Sequence, residues 1–265
     1  MRVDAVLVRD GLARSRRHAT ELIESGRVAV DGRPVRRPSA TWSPGQVLTV
    51  ADDAADDGYA SRGAYKLVGA LDTFGVDPAG LRCLDAGAST GGFTDVLLRR
   101  GAASVVAVDV GHDQLVDRLR QDPRVEVHEG VNLREAVPGQ FGPPPELVVA
   151  DLSFISLTLV LPALAAVVAP AAALLVMVKP QFEVGRERLG SGGVVRSPDL
   201  RCEAVEAVGR RAEELGLGVR DAVASPLPGP SGNVEYFLRL HAGERSVGGW
   251  EQRVADVVHG DGVRT

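Results

Sequence analysis

Apolar residues are patterned differently in the two parts of the chain. From residue 81 onward, short runs of branched apolar side chains recur at 81–84, 105–108, 125–127, 147–150 and 173–178. Runs of this length suit strands buried on both faces. Helix-like segments separate them, so the pattern predicts a parallel sheet covered on both sides. A helix is predicted over 93–100 and another over 199–215. Two last strands fall near 219–224 and 234–240, with Gly229, Pro230, Ser231 and Gly232 between them and Glu235 early in the final strand.

The first 50 residues are finer grained. Val3, Val6, Leu7 and Leu12 fit one short helix. Ala19, Leu22 and Ile23 fit the apolar face of a second, with Ser15 as its N-cap and Gly26 as its stop. Residues 28–30, a turn at Asp31-Gly32 and a run at 47–50 read as a small hairpin with a further strand. Residues 51–58, ADDAADDG, lack any bulky apolar side chain and read as a linker. Ser61 is placed as the N-cap of a helix on which Arg62 and Lys66, four apart, share a face.

Residues 155–178 carry no charge, and a bilayer span takes about 20 such residues. Pro162 and Pro170 argue instead for a buried helix and then a buried strand, with Pro162 in the first turn of the helix and Pro170 at its end. The Gly- and Arg-rich residues 181–198 read as a mobile lid or substrate loop. The tail from Ser246 fits either a short helix through Trp250, Val254 and Val257 or a frayed end. The expected boundaries are 1–50 for a small domain, 51–60 for the linker, 61–245 for the main domain and 246–265 for the tail.

Composition changes this picture in three places. A hydrophobic fraction of 45% and a charged fraction of 25% belong to an ordinary soluble protein. Cys83 and Cys202 have no metal-ligand spacing, and charges interrupt MRVDAVLVRDG where a signal core would be apolar. A cytosolic chain with reduced thiols and no metal is therefore expected. The net charge is −5, yet residues 1–50 carry 9 Arg against 5 acidic residues. A basic piece on an acidic body implies an anionic partner for that piece. Finally, Lys66 and Lys179 are the only lysines among 30 basic residues. Lysine can give up its proton when its environment lowers the pKa, whereas arginine cannot. Both lysines are thus candidates for acid–base chemistry.

The stretch LDAGASTGGFTD, residues 84–95, carries a strand-end Asp85, then Gly87, Ser89, Gly91 and Gly92, then a helix start. This order lets backbone approach a cofactor. Ser89 breaks the dinucleotide pattern G-x-G-x-x-G, and no Lys-Ser/Thr pair follows to make a phosphate loop. A strand-end carboxylate suits a cofactor with hydroxyls and a cationic amino-acid part, as in S-adenosylmethionine; a plain tight turn is the alternative. Asp109 ends the next strand, where doubly wound folds place an acid on a ribose. Asp151 and Lys179 end later strands and can converge on the same cleft. A free lysine, of pKa about 10.4, is neutral in roughly 1 molecule in 2,500 at pH 7. A second ammonium and partial burial would lower its pKa to about 7–8 and make it a usable base. Asp151 and Glu235 would orient the ammonium groups, although each carboxylate taken singly reads better as a structural ion pair.

Two resemblances extend these readings. SRRHATELIESGRVAVDGRPVRRPS resembles the α-L RNA-binding motif of a small-subunit ribosomal protein. It implies RNA contact through Arg14, Arg16, Arg17, Arg27, Arg33, Arg36 and Arg37; Arg62 and Arg186 are further RNA candidates. SRGAYKL, DAGASTGGFTD, ADLSF, VKPQFE and GNVEYF resemble the TlyA branch of the FtsJ-type RNA 2′-O-methyltransferases. That resemblance implies a tetrad of Lys66, Asp151, Lys179 and Glu235, with Lys179 as the base. It implies S-adenosylmethionine held by Asp85, Gly87, Ser89, Gly91 and Gly92, with Asp109 near the adenosine ribose. The implied acceptor is a cytidine 2′-hydroxyl in the RNA of ribosomal subunits. The expected fold is a Rossmann-like seven-stranded methyltransferase sheet behind a small RNA-binding domain. Some family members are described as haemolysins. A membrane-active protein is therefore one alternative, opposed by the two prolines. A non-catalytic RNA-binding protein with a vestigial cofactor site is another, opposed by the tetrad.

Overall fold

A computed structural model describes residues 1–13, 16–24, 26–50, 58–229 and 232–260, without the side chains of Arg17, Glu21, Glu24, Arg186 and Ser191. Arg14, the Ser15 cap, linker residues 51–57, Pro230 and Ser231 therefore lie outside the described residues, as do the Arg17 and Arg186 side chains. The chain divides into two compact units, Met1–Gly58 and Tyr59–Thr265.

The first unit holds α1 (Val3–Arg9), α2 (Arg16–Glu24), β1 (Val28–Val30), β2 (Arg33–Pro34) and β3 (Leu48–Val50), the strands in antiparallel order β2-β1-β3. Val3, Leu7, Ala19, Leu22, Ile23 and Val28 form its buried core. Leu12 falls beyond the end of α1 and is exposed. Asp31 and Gly32 both have positive φ, at 50° and 76°, as a tight two-residue hairpin turn demands. The Asp31 carboxylate also accepts from the Val47 amide at 2.8 Å, which ties the approach to β3 onto the hairpin.

The second unit runs α3 (Ala64–Phe74), β4 (Arg82–Ala86), α4 (Gly92–Arg99), β5 (Ser104–Asp109), α5 (Asp117–Arg120), β6 (Val125–Glu129), β7 (Leu147–Ala150), α6 (Leu157–Val167), β8 (Ala173–Val178), α7 (Pro180–Glu183), α8 (Pro198–Glu214), β9 (Leu217–Ala224), β10 (Tyr236–Ala242) and α9 (Trp250–Gly260). Its seven strands lie in the order β6-β5-β4-β7-β8-β10-β9. β4 to β8 are parallel, and β10 is antiparallel to both neighbours. The chain order reverses between β4 and β7, the switch point at which such sheets bind ligands. Alternate residues of each strand face opposite ways. Leu84, Val106, Val148, Val176 and Leu238 join one apolar layer, and Cys83, Val105, Val149, Leu175 and Phe237 the other.

Four expectations are corrected by local chemistry. Residues 155–178 are indeed a buried helix and strand, but Pro162 lies inside α6 and not in its first turn. Capping starts the helix earlier: Ser156 Oγ accepts from the Thr158 amide, and the Glu183 carboxylate accepts from the Leu157 amide at 2.8 Å. Ser61 does not cap α3. Gly63 occupies that position, and the amides of residues 64, 65 and 66 donate to carbonyls three residues back. Arg62 therefore stays exposed in a tight turn while Lys66 is buried. The Gly- and Arg-rich loop is anchored: Val184 and Val195 are buried, and Asn233 accepts from the Val195 amide at 3.0 Å and donates to the Gly193 carbonyl at 3.1 Å. Glu235 falls just before β10, not within it.

Within the tail, the described residues 246–260 are held on the fold and end in α9. The Val247 amide donates to the Val219 carbonyl, and the Val219 amide to Ser246 Oγ, both at 2.9 Å, so the open edge of β9 is covered. Trp250 is buried against Gly209, where an added Cβ would lie 2.5 Å from the indole ring. Trp250→Ala should lower the free energy of unfolding by about 3–5 kcal/mol, measured by urea denaturation. A loss below about 1 kcal/mol would show that α9 adds little to the fold.

Candidate functional site

Strand register brings the candidate residues to one edge. Ala150 pairs with Val176 in parallel, and Val178 pairs with Tyr236 antiparallel. Asp151 follows β7, Lys179 follows β8 and Glu235 precedes β10, so the three leave neighbouring strands at the same end. Such strands lie about 4.7–4.9 Å apart. Lys66 joins from α3, its Nζ 2.5 Å from Glu235 Oε2. Lys179 Nζ lies 2.5 Å from Asp151 Oδ1 and donates to Ser153 Oγ at 2.9 Å. The four residues thus form two ion pairs. Glu235 is sealed from solvent and both lysines nearly so, while Asp151 keeps 23% of its side chain exposed. Glu235 Oε1 has no hydrogen-bond partner among the described residues. Gly229 leaves the space above it: a Cβ there would sit 2.1 Å from that oxygen.

The glycine turn after β4 has several functions. Gly87 has φ 91°, and a Cβ on it would lie 2.7 Å from the Asp151 carbonyl, so both its conformation and its closeness to β7 require glycine. Ser89 adopts φ 48°. Its amide donates to Asp109 Oδ2 at 2.8 Å, and the Gly111 amide donates to Oδ1 at 2.7 Å. Asp109 therefore braces the turn onto the end of β5. Gly91 and Gly92 are buried and admit packing neighbours. Their absent Cβ atoms would lie 2.3 Å from Leu119 and 2.3 Å from Ser61 Oγ respectively. The half-exposed residues of the turn are Gly87, Ser89 and Thr90.

Asp85 lies beneath this turn, fully buried. Its Oδ2 accepts from Thr94 Oγ1 at 2.7 Å, and its Oδ1 has no hydrogen-bond partner among the described residues. Burial pushes its pKa up to about 7; the Thr94 hydrogen bond opposes this, while the Asp151 and Asp109 charges add to it. An orphan acceptor under a glycine turn at the switch point fits a cationic donor group or a water that serves one.

Sequence reasoning missed Phe154. It is 91% exposed with φ 66°, and its ring centroid lies 5.3 Å from that of Phe182. An aromatic three residues past a strand-end aspartate was the available signal. Of the RNA candidates, Arg16, Arg33, Arg36, Arg37 and Arg62 are exposed and Arg27 is half-buried. Arg33, Arg36 and Arg37 line a shallow groove of the first unit with Val35 and Gln46, whereas Arg16 lies 3.5 Å from Asp4. Among the described residues no cluster of His, Cys, Asp and Glu is arranged to hold a metal, and no helix is long and apolar enough to cross a membrane.

A doubly wound sheet with an antiparallel strand inserted before its edge, a glycine turn at the switch point and charged strand ends define a Rossmann-like methyltransferase fold. The chain belongs to the FtsJ-like methyltransferase family, whose model matches residues 59–242, and an S4 domain matches residues 1–48. It is 58% identical over 239 residues to the 16S/23S rRNA (cytidine-2′-O)-methyltransferase TlyA of Mycobacterium tuberculosis, covering 90% of this chain and 89% of that protein. It is 35% identical to Hemolysin A of Brachyspira hyodysenteriae, over 91% of this chain and 99% of that one. A solved structure of a hemolysin-named protein from Streptococcus thermophilus superposes with a TM-score of 0.78 at 36% identity, covering 99% of this chain and 97% of that one.

The Asp85 environment gives a signed prediction. An unfolded aspartate titrates near about 3.9, and the folded one near 7. Stability from the retained proton is present below the lower value and lost as pH rises through the upper one. Asp85→Asn cannot ionise. Its melting temperature relative to wild type should therefore be more favourable at pH 8 than at pH 5. An equal difference at both pH values would exclude ionisation as the cause.

Proposed function

We propose that the chain methylates a cytidine 2′-hydroxyl in ribosomal RNA, with S-adenosylmethionine as donor and Lys179 as general base. The observation that carries this reading is the pair of lysine–carboxylate contacts at the strand-end edge beside the glycine turn. The mycobacterial relative's name supplies the acceptor class, and the S4 domain supplies an RNA-binding unit.

When bound, S-adenosylmethionine supplies an electrophilic methyl group on a sulfonium. The Gly87–Ser89 backbone and the Asp85 acceptor beneath it would hold its amino-acid part, and the Asp109 end of β5 its ribose. Gly91 and Gly92 serve indirectly, by letting the turn pack. Lys179 takes the proton of the attacking hydroxyl, and Asp151 and Ser153 orient its Nζ. Lys66, held by the sealed Glu235, keeps a second positive charge fixed at this edge. Phe154 offers a solvent-facing ring on which the target base can stack, the usual way that single-stranded RNA is gripped. In the first unit, Arg33, Arg36 and Arg37 meet phosphates from one groove; Arg14, Arg16, Arg17 and Arg27 are further phosphate ligands of that unit, and Arg62 and Arg186 are those of the second. Residues 1–50 form the RNA-binding domain and 61–245 the methyltransferase domain.

The reading is tested by transfer from labelled S-adenosylmethionine to separated ribosomal subunits and transfer RNA, followed by mapping of the labelled ribose. Label at a 2′-oxygen of ribosomal RNA is expected; its absence despite donor binding would overturn the reading. Lys179→Arg keeps the charge and should reduce transfer about 100-fold or more, so near-normal activity would remove Lys179 as the base. Deleting residues 1–50 should weaken RNA binding and flatten its salt dependence while donor affinity holds. Unchanged RNA affinity would refute the division of roles.

A further inference from the structure

We infer that Glu183 is a positioning residue for the transfer step, acting through Lys179 and Phe154; this rests on the reaction proposed above. Two short segments leave adjacent strands at the same edge, residues 151–157 after β7 and residues 179–183 after β8. They are joined at three successive levels. Lys179 Nζ meets Asp151 at 2.5 Å and Ser153 at 2.9 Å. Phe182 meets Phe154 with ring centroids 5.3 Å apart. Glu183 accepts from Ser156 Oγ at 2.5 Å through one oxygen and from the Leu157 amide at 2.8 Å through the other.

These levels differ in what they can tolerate during a reaction. The first belongs to the residue that must take up a proton, so its contacts with Asp151 and Ser153 change as Lys179 works. The second is a ring contact at an exposed loop, where Phe154 holds a left-handed backbone that a residue with a Cβ keeps only when its surroundings impose it. The third is independent of the chemistry. It is fixed to a buried element, because Ser156 is the N-cap of α6 and Leu157 its first residue. Burial pushes the Glu183 carboxyl above its ordinary pKa even with both donors in place, an unfavourable position for an acid that held nothing. Glu183 thus fixes the far end of the 151–157 segment, so that Lys179 can exchange partners without releasing Phe154.

The test uses the full chain carrying Glu183→Ala or Glu183→Gln, with single-turnover transfer to ribosomal subunits, donor affinity and amide hydrogen exchange measured side by side. Glu183→Ala should slow single-turnover transfer about tenfold or more, while the donor Kd stays within about twofold. Exchange over 151–157 should rise without change in β7 and β8. Glu183→Gln keeps an oxygen for the Leu157 amide and should recover most of the rate. Phe154→Ala added to Glu183→Ala should cost little more, because the two share one arrangement. A Glu183→Ala protein with wild-type rate and exchange would overturn the inference. So would strict additivity with Phe154→Ala, or loosening spread over the whole sheet. A wild-type protein that methylates no RNA would sink the proposed reaction instead, and the exchange measurement would still decide whether Glu183 holds the segment.

Discussion

The site depends on one reversal of chain direction. Parallel strands deliver only their carboxyl ends to a given edge, so β4, β5, β7 and β8 bring Asp85, Asp109, Asp151 and Lys179 there. β10 runs the other way between β8 and β9, and its amino end brings Glu235 to the same place. The Glu235 carboxylate is sealed from solvent and meets Lys66 at 2.5 Å. Removing one partner of such a buried pair typically costs about 3–5 kcal/mol, because the other charge is left without compensation. The pair therefore ties α3, which precedes the sheet, to a strand formed near the end of the chain.

This arrangement also explains what could be read from sequence. The inner strands are legible because a strand covered on both faces is apolar at every position, as at 105–108, 147–150 and 173–178. The glycine turn was legible as a turn, but not in its division of labour. A glycine reports only that no Cβ is tolerated. Whether a cofactor, a leucine or a serine occupies the space depends on distant elements, Leu119 for Gly91 and Ser61 for Gly92. Pro162 and Ser61 misled for a related reason. The start of α6 is set partly by Glu183, and the start of α3 by a tight turn, neither of which is written in the local pattern. The loop over 181–198 has a mobile composition but is held by Asn233, about 40 positions away. The 66–235 ion pair lies further still, across 169 positions.

The contrast between lysine and arginine gains meaning from burial. Arg9, Arg188, Arg210 and Arg253 make ion pairs with substantially exposed side chains, where a pair contributes at most about 1 kcal/mol. Both lysines are buried at the candidate site, each against one carboxylate. The guanidinium of arginine is larger, presents five donors and stays charged. The sealed Glu235 Oε2 is met by the compact ammonium of Lys66 at 2.5 Å, and the proposed role of Lys179 calls for a group that can be neutral. Composition singled out the lysines, and the packing sets both, buried, against carboxylates.

Charge divides the proposed work between the two units. Residues 1–50 carry an excess of arginine, whereas the rest of the chain is acidic. A phosphate backbone is attracted to the first unit and repelled, on average, by the second. Besides Arg62 and Arg186, contacts near the strand-end edge can then draw on groups that do not depend on net charge. The exposed Phe154 ring and the Ser153 hydroxyl are such groups. On the reading proposed above, the arginine groove would supply most of the salt-dependent affinity for RNA, and the exposed Phe154 ring would add stacking that does not depend on charge.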